Sequence, residues 1–215
     1  RLSLKPGHSA PELIVTFLLV AGISALVVTA LVITSLVYTN QLPLNEVKDT
    51  LLPFWVGDMA GVVVLTPLFA GILLKLFPNP NMNLNEFISE DTDSWNSRIQ
   101  KMALNVVLIV LTMLLAYWSG SQESSFAVFF LAVTHMWIAC TESPKFNVIS
   151  LVVSSFLIAL LVHVLGLMEH VMVYQFAINV IAANALFGIA IPQLQAHNRE
   201  LEGKIQTDAL TQVSS

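Results

Sequence analysis

The chain is poor in charge. Only 11% of its 215 residues are Asp, Glu, Lys or Arg, whereas 56% are hydrophobic. Soluble domains carry about 25% charged residues, so a soluble fold of this length lacks the polar surface to cover its apolar content, which a bilayer can solvate. Cysteine is nearly absent. With Cys140 alone, an internal disulfide and a cysteine-rich metal site are excluded, and Cys140 is expected to be a buried thiol within the membrane. The nine Lys and Arg residues are scattered, which excludes a basic nucleic-acid surface. The net charge of −5 adds little, because the charges sit between apolar runs.

Those runs lie near 13–38, 51–77, 99–118, 122–140, 146–168 and 171–191. Each approaches or exceeds the roughly 20 residues needed to cross a bilayer core. The predicted fold is an all-α integral membrane bundle of about six transmembrane helices. The fourth run is the weakest, because Gln122, Glu123, Ser124 and Ser125 thin its start. The fifth and sixth are expected to form a tight hairpin turning at Glu169-His170. The first run is too long for a signal peptide. The chain opens on Arg1 and stops at Ser215 inside a recognisable motif. It is therefore expected to be an excerpt of a longer protein, shortened at its N-terminus.

Charge asymmetry gives an orientation. With the N-terminus inside, the inner connections hold Arg1, Lys5, Lys75, Arg98, Lys101, Lys145, Arg199 and Lys204, and the outer ones hold only Lys48. The positive-inside rule then places both ends of the chain in the cytoplasm. Tyr38, Trp55, Tyr117, Trp118 and Tyr174 fall at outer span ends and Trp137 near an inner one, as an aromatic belt would. The inner loop from Pro78 to Thr92 reads as a solvated linker, with Ser94 placed to cap the next helix.

The most informative stretch is Phe54-Trp55-Val56-Gly57-Asp58-Met59-Ala60-Gly61, followed by Thr66-Pro67. Gly57 and Gly61 form a GxxxG step that allows close helix approach, and Pro67 can bend the span. Asp58 lies about 10 Å inside its span by helix rise. A carboxylate there is costly, so it is expected to be paired, protonated or facing a cavity. Two readings compete: an interhelical hydrogen bond, and a ligand or proton site. His163 and Asn179 are placed near the same depth and are candidates to line a pocket with Asp58; Asn184 is more central and His135 nearer the inner side. For each of these the competing reading is a hydrogen bond to a neighbouring helix. Haem or metal ligation is disfavoured, because His135 and His163 fall on different spans at different depths.

Beyond the sixth run, Ile191, Leu194, Asn198, Leu201 and Ile205 follow 4-3 spacing with polar residues between them. This is a short coiled-coil pattern, and a polar Asn198 on its seam would fix register and favour a homodimer. The alternative is a lone amphipathic helix on the bilayer surface.

The segment from Trp55 through Gly57, Asp58 and Gly61 to Pro67 resembles the signature of the first membrane-associated sensor (MASE) family. That family supplies integral-membrane input modules to bacterial diguanylate cyclases, phosphodiesterases and sensor histidine kinases. The resemblance covers roughly residues 1–195. Family members usually carry further spans ahead of the motif, including a Trp-Pro helix, and these are not in this chain. The final residues, Asp208-Ala209-Leu210-Thr211-Gln212-Val213-Ser214-Ser215, resemble the Asp-x-Leu-Thr-x-Leu-x-Asn-Arg opening of GGDEF domains. Asp208, Leu210 and Thr211 match, whereas Val213 replaces Leu and Ser215 stands where Asn is usual.

Together the two resemblances imply a sensor domain over 1–191, a signalling helix over 192–206 and the start of a GGDEF domain at 207–215. They imply an inner-membrane module that detects a small ligand or a membrane cue and regulates a cyclase making cyclic di-GMP. The missing output domain would need GTP and Mg; the present chain is expected to hold no catalytic residue and no cofactor. The alternatives are the input domain of a histidine kinase, a small-solute transporter or channel, and a passive dimerising anchor. His197 lacks the neighbours of a phospho-acceptor histidine.

Overall fold

A computed structural model describes residues 10–77 and 95–188. The 78–92 linker, the Ser94 cap, the 192–206 coiled coil and the 207–215 motif lie outside the described residues. Six helices long and apolar enough to cross a membrane account for nearly all of the rest, and no strand occurs among the described residues. The protein is an all-α, multi-pass membrane bundle.

The first helix, Ala10–Tyr38, and the second, Val47–Leu76, pack along each other after a short turn at Asn40, which adopts a left-handed conformation. The second helix runs through both Pro53 and Pro67. Neither ring nitrogen can donate a backbone hydrogen bond. The third helix is Trp95–Ser119. The fourth, Gln122–Thr141, changes gauge along its length: one α turn, a 3₁₀ stretch at Phe126–Phe130, then α again over Leu131–Thr141. Ser121 caps its start by accepting from the Ser124 N–H at 3.3 Å. The fifth helix, Pro144–Val164, begins with Pro in its first turn and Ser143 as cap, a favourable N-terminal combination.

The fifth and sixth helices meet earlier than expected. Val164 ends the fifth, and Gly166 takes φ 69°, a left-handed conformation that glycine adopts without a Cβ clash. The sixth helix then opens with a 3₁₀ turn, Leu167–His170, and is described to Gly188. Glu169 and His170 are thus inside the sixth helix's first turn rather than between the helices.

The bundle shares one core, running from Ala21 and Val63 through Ile109, Met113 and Leu151 to Ala177 and Ala182. Polar residues share this apolar interior, and large apolar side chains cover the outside. Lys101, Asn105, His135, Asn147, Ser150 and Ser154 are buried, while Leu19, Ile23, Leu31, Val133 and Phe156 face outward. Lipid solvates those outer side chains, whereas buried polar groups need partners inside the protein. Cys140 belongs to the outer surface and is exposed, not buried as its apolar neighbours suggest. Two aromatics assigned to the belt also turn inward: Tyr174 is buried with its hydroxyl 3.2 Å from Ser125 Oγ, and Trp55 is half-buried. Tyr38, Tyr117 and Trp118 are exposed.

Gly188 marks a tight crossing of the fourth and sixth helices. A Cβ there would stand 2.4 Å from the Cβ of Ala139, so the end of the sixth helix rests directly on the fourth.

Candidate functional site

The second helix carries its polar residues on two sides. Trp55 and Asp58 turn toward the first helix. The Trp55 indole N–H donates to the Gly22 carbonyl at 2.9 Å, and the buried Thr29 hydroxyl donates to Asp58 Oδ2 at 2.8 Å. Val56 and Gly57 turn toward the sixth helix. The Asn179 amide donates to the Val56 carbonyl at 3.1 Å and to the Gln175 carbonyl at 3.0 Å. Gly57 admits the Gln175 side chain, since a Cβ at 57 would lie 2.9 Å from its Nε2. At Gly61 a Cβ would meet nothing within 4 Å, so only the first glycine of the GxxxG step makes a close approach.

Asp58 is eleven residues into its helix, about 16 Å by helix rise, and is the one acidic residue away from helix ends among the described residues. Two amide oxygens close to this region, Gln175 Oε1 and Asn179 Oδ1, are buried without a hydrogen-bond partner. A carboxyl with a hydroxyl donor on one oxygen can take a proton, or hold a ligand rich in hydrogen-bond donors.

The expected site is redrawn in two places. His163 is the penultimate residue of the fifth helix and is exposed. Moving the turn to Gly166 carries His163 to the end of its span, so it does not share the depth of Asp58. Asn184 also lies apart from Asp58, in a groove against the fourth helix. Trp55 and Asp58 meet the first helix, whereas Gly57 and Asn179 lie at the contact of the second helix with the sixth, and Pro67 lies further along the second helix.

A second polar assembly joins the third, fourth and fifth helices. Its hub is Asn105, fully buried. Asn105 Nδ2 donates to Ser154 Oγ at 2.6 Å and lies 3.4 Å from His135 Nε2, while Asn105 Oδ1 accepts from Thr134 Oγ1 at 2.8 Å. An amide donating to Nε2 leaves the ring proton on Nδ1, and His135 Nδ1 has no partner. On the fifth helix, Asn147 donates to the Ala185 carbonyl of the sixth at 3.0 Å, with its own Oδ1 unpartnered; the buried Ser150 Oγ is unpartnered too.

One turn before Asn105, Lys101 reaches Glu142 and Thr141, and Arg98 Nε meets Glu142 Oε2 at 3.1 Å. The Glu142 side chain is fully enclosed. Arg98 also sits 5.9 Å from the Phe146 ring centroid and Lys101 5.5 Å from that of Trp137, within the range of cation–π attraction.

Of this assembly only His135 stands out in the sequence. The rest left one signal: Asn147, Ser150 and Ser154 follow i, i+3, i+7 spacing, which places them on one helix face. Among the described residues no three His, Cys, Asp or Glu side chains cluster as a metal site would require.

No family model, curated protein or solved structure matches the chain.

Proposed function

We propose that this chain is the sensory input module of a bacterial inner-membrane signalling protein. It detects a small ligand or a membrane cue and regulates a C-terminal diguanylate cyclase, with both ends of the chain in the cytoplasm. The output domain would form cyclic di-GMP from two GTP molecules with Mg, one GTP held by each protomer of a homodimer. The observation that carries the reading is Asp58, an acidic group deep in an apolar span, paired to Thr29 across the first and second helices. Its surroundings fit a site that changes state. Asp58 engages the first helix, while the adjacent Val56 and Gly57 engage the sixth, the helix that leads toward the output motif. A proton or ligand altering the Asp58 pair would bias the second helix between these neighbours, and the sixth would carry the bias outward.

The resemblances of Trp55–Pro67 and of Asp208–Thr211 supply the choice of output. The test is cyclic di-GMP measured in cells expressing the full-length protein with Asp58→Asn or Thr29→Val. A several-fold change in output at normal membrane levels is expected for both, since allosteric coupling is commonly 5- to 150-fold. Wild-type output from both variants overturns the reading.

A transporter reading draws on a different observation, the buried polar run from Lys101 through Asn105 to His135 and Ser154. Flux of labelled solute in proteoliposomes, abolished by Asn105→Leu, would favour that reading over sensing.

A further inference from the structure

Three polar atoms inside the bundle have hydrogen-bonding capacity that the protein leaves unused. His135 Nδ1, Asn147 Oδ1 and Ser150 Oγ each lack a partner, and their residues are at most 1% exposed. Lipid offers such atoms nothing. Buried polar groups are almost always bonded, either to protein or to an internal water.

Topology brings two of them to one level. The fourth and fifth helices pack on each other and are joined by the short turn at Glu142 and Ser143. His135 stands seven residues before Glu142, and Ser150 seven residues after Ser143. Two spans joined so tightly run antiparallel, so both residues lie about 10 Å from the turn. Asn105 fixes the facing independently. It touches His135 Nε2 and also Ser154 Oγ, one turn beyond Ser150 on the fifth helix. Asn147 lies a turn before Ser150 on the same face. Side chains three apart on a helix are about 5–6 Å apart at Cβ, a span that one water, bonded at about 2.8 Å on each side, can close.

The three atoms are complementary, yet they do not bond one another. Asn105 donates to His135 Nε2, so Nδ1 carries the ring proton and donates. Asn147 Oδ1 only accepts, and Ser150 Oγ does both. A species joining them must accept from one side and donate to the other. A cation would meet the Nδ1 proton and an anion the Asn147 oxygen, whereas a small neutral molecule of mixed character suits all three. We propose that this site holds an internal water, bridging His135 Nδ1–H to Ser150 Oγ and Asn147 Oδ1. Three bonds are the usual complement of a buried water. The bridge gives the fourth and fifth helices a link of their own, beside the one that runs through Asn105. It is independent of the sensor reading and of the Asp58 pair.

The test is X-ray hydroxyl-radical footprinting of the full chain in lipid nanodiscs, read by mass spectrometry. Radiolysis of a bound water makes the radical beside the groups that hold it, so an enclosed side chain is oxidised where water touches it. Met113 is the control, because it is equally enclosed but sits in the apolar core, and methionine is readily oxidised. His135 is nevertheless expected to be oxidised several-fold faster than Met113. In Ser150→Val, whose methyl groups fill the site, that rate is expected to fall several-fold toward the Met113 level. His135 oxidised no faster than Met113 in the native chain overturns the proposal, and this comparison needs no variant. Unchanged His135 oxidation in a Ser150→Val chain inserted at native levels overturns the bridge as well. These readouts need no output activity. Their failure leaves the sensor reading standing, and silent Asp58 variants leave the water site standing.

Discussion

Gly188 presses against Ala139 so closely that a methyl group at 188 would overlap the Ala139 side chain, at 2.4 Å between the two β-carbons. The clash would fall on the Ala139 side chain, not the tip of a flexible chain, and it cannot be relieved by a rotamer change. Gly188→Val should push the end of the sixth helix away from the fourth. The expected cost is about 1–3 kcal/mol, typical of overpacking, read as a lower unfolding midpoint in SDS titration. An unchanged midpoint would mean that the two helices are not in contact there.

Gly57 and Gly61 separate two effects of glycine in a helix. Alanine at an exposed helical position gains up to about 1 kcal/mol over glycine. Gly61→Ala should therefore leave stability unchanged or raise it, since its Cβ would meet nothing. Gly57→Ala must displace Gln175 Nε2 and is expected to lose that gain. Gly57→Leu should be clearly destabilising. Equal midpoints for Gly57→Leu and Gly61→Leu would show that Gln175 does not pack on Gly57.

Asn105 holds three side chains from two neighbouring helices. Asn105→Leu strands the His135 and Ser154 polar atoms, while Thr134 keeps its bond to the Leu131 carbonyl, so its cost should approach the roughly 1–3 kcal/mol of an unsatisfied buried group. Ser154→Ala removes one partner and should cost less, near the 0.6 kcal/mol average for interhelical bonds in membranes. In a double-mutant cycle the two should be non-additive. Simple additivity would show that the 2.6 Å contact between them carries no energy.

Glu142 answers two cations, Arg98 and Lys101. Glu142→Gln should cost roughly 1.5–3 kcal/mol, the range for hydrogen bonds to charged groups. Adding Lys101→Met should recover part of it, because a buried ammonium that has lost its Glu142 carboxylate is then removed. If the double variant is less stable than Glu142→Gln alone, charge compensation is not the reason for the pairing.

The spans were legible in the sequence because apolar length is a property of a single segment. What depends on two segments was not. Polarity points to a fifth-to-sixth turn at Glu169-His170, whereas the backbone turns at Gly166 through its left-handed conformation. That shift of a few residues carried His163 out of the expected pocket. Asp58 was found by its cost in lipid, but its partner Thr29 is an ordinary helix residue whose role appears only when two helices pack. Asn105 escaped notice for the same reason, since its meaning lies in Thr134, His135 and Ser154. Trp55 and Tyr174 resembled interface anchors until hydrogen bonds to Gly22 and Ser125 drew them inward.

The buried Asn105 also constrains the order of biogenesis. Taken alone, the third helix would bring the Asn105 amide into the bilayer unsatisfied. Its partners Thr134, His135 and Ser154 are encoded 29 to 49 residues later. The third helix therefore gains by lingering beside the insertion machinery until the fourth and fifth emerge, so that the three enter lipid as one unit.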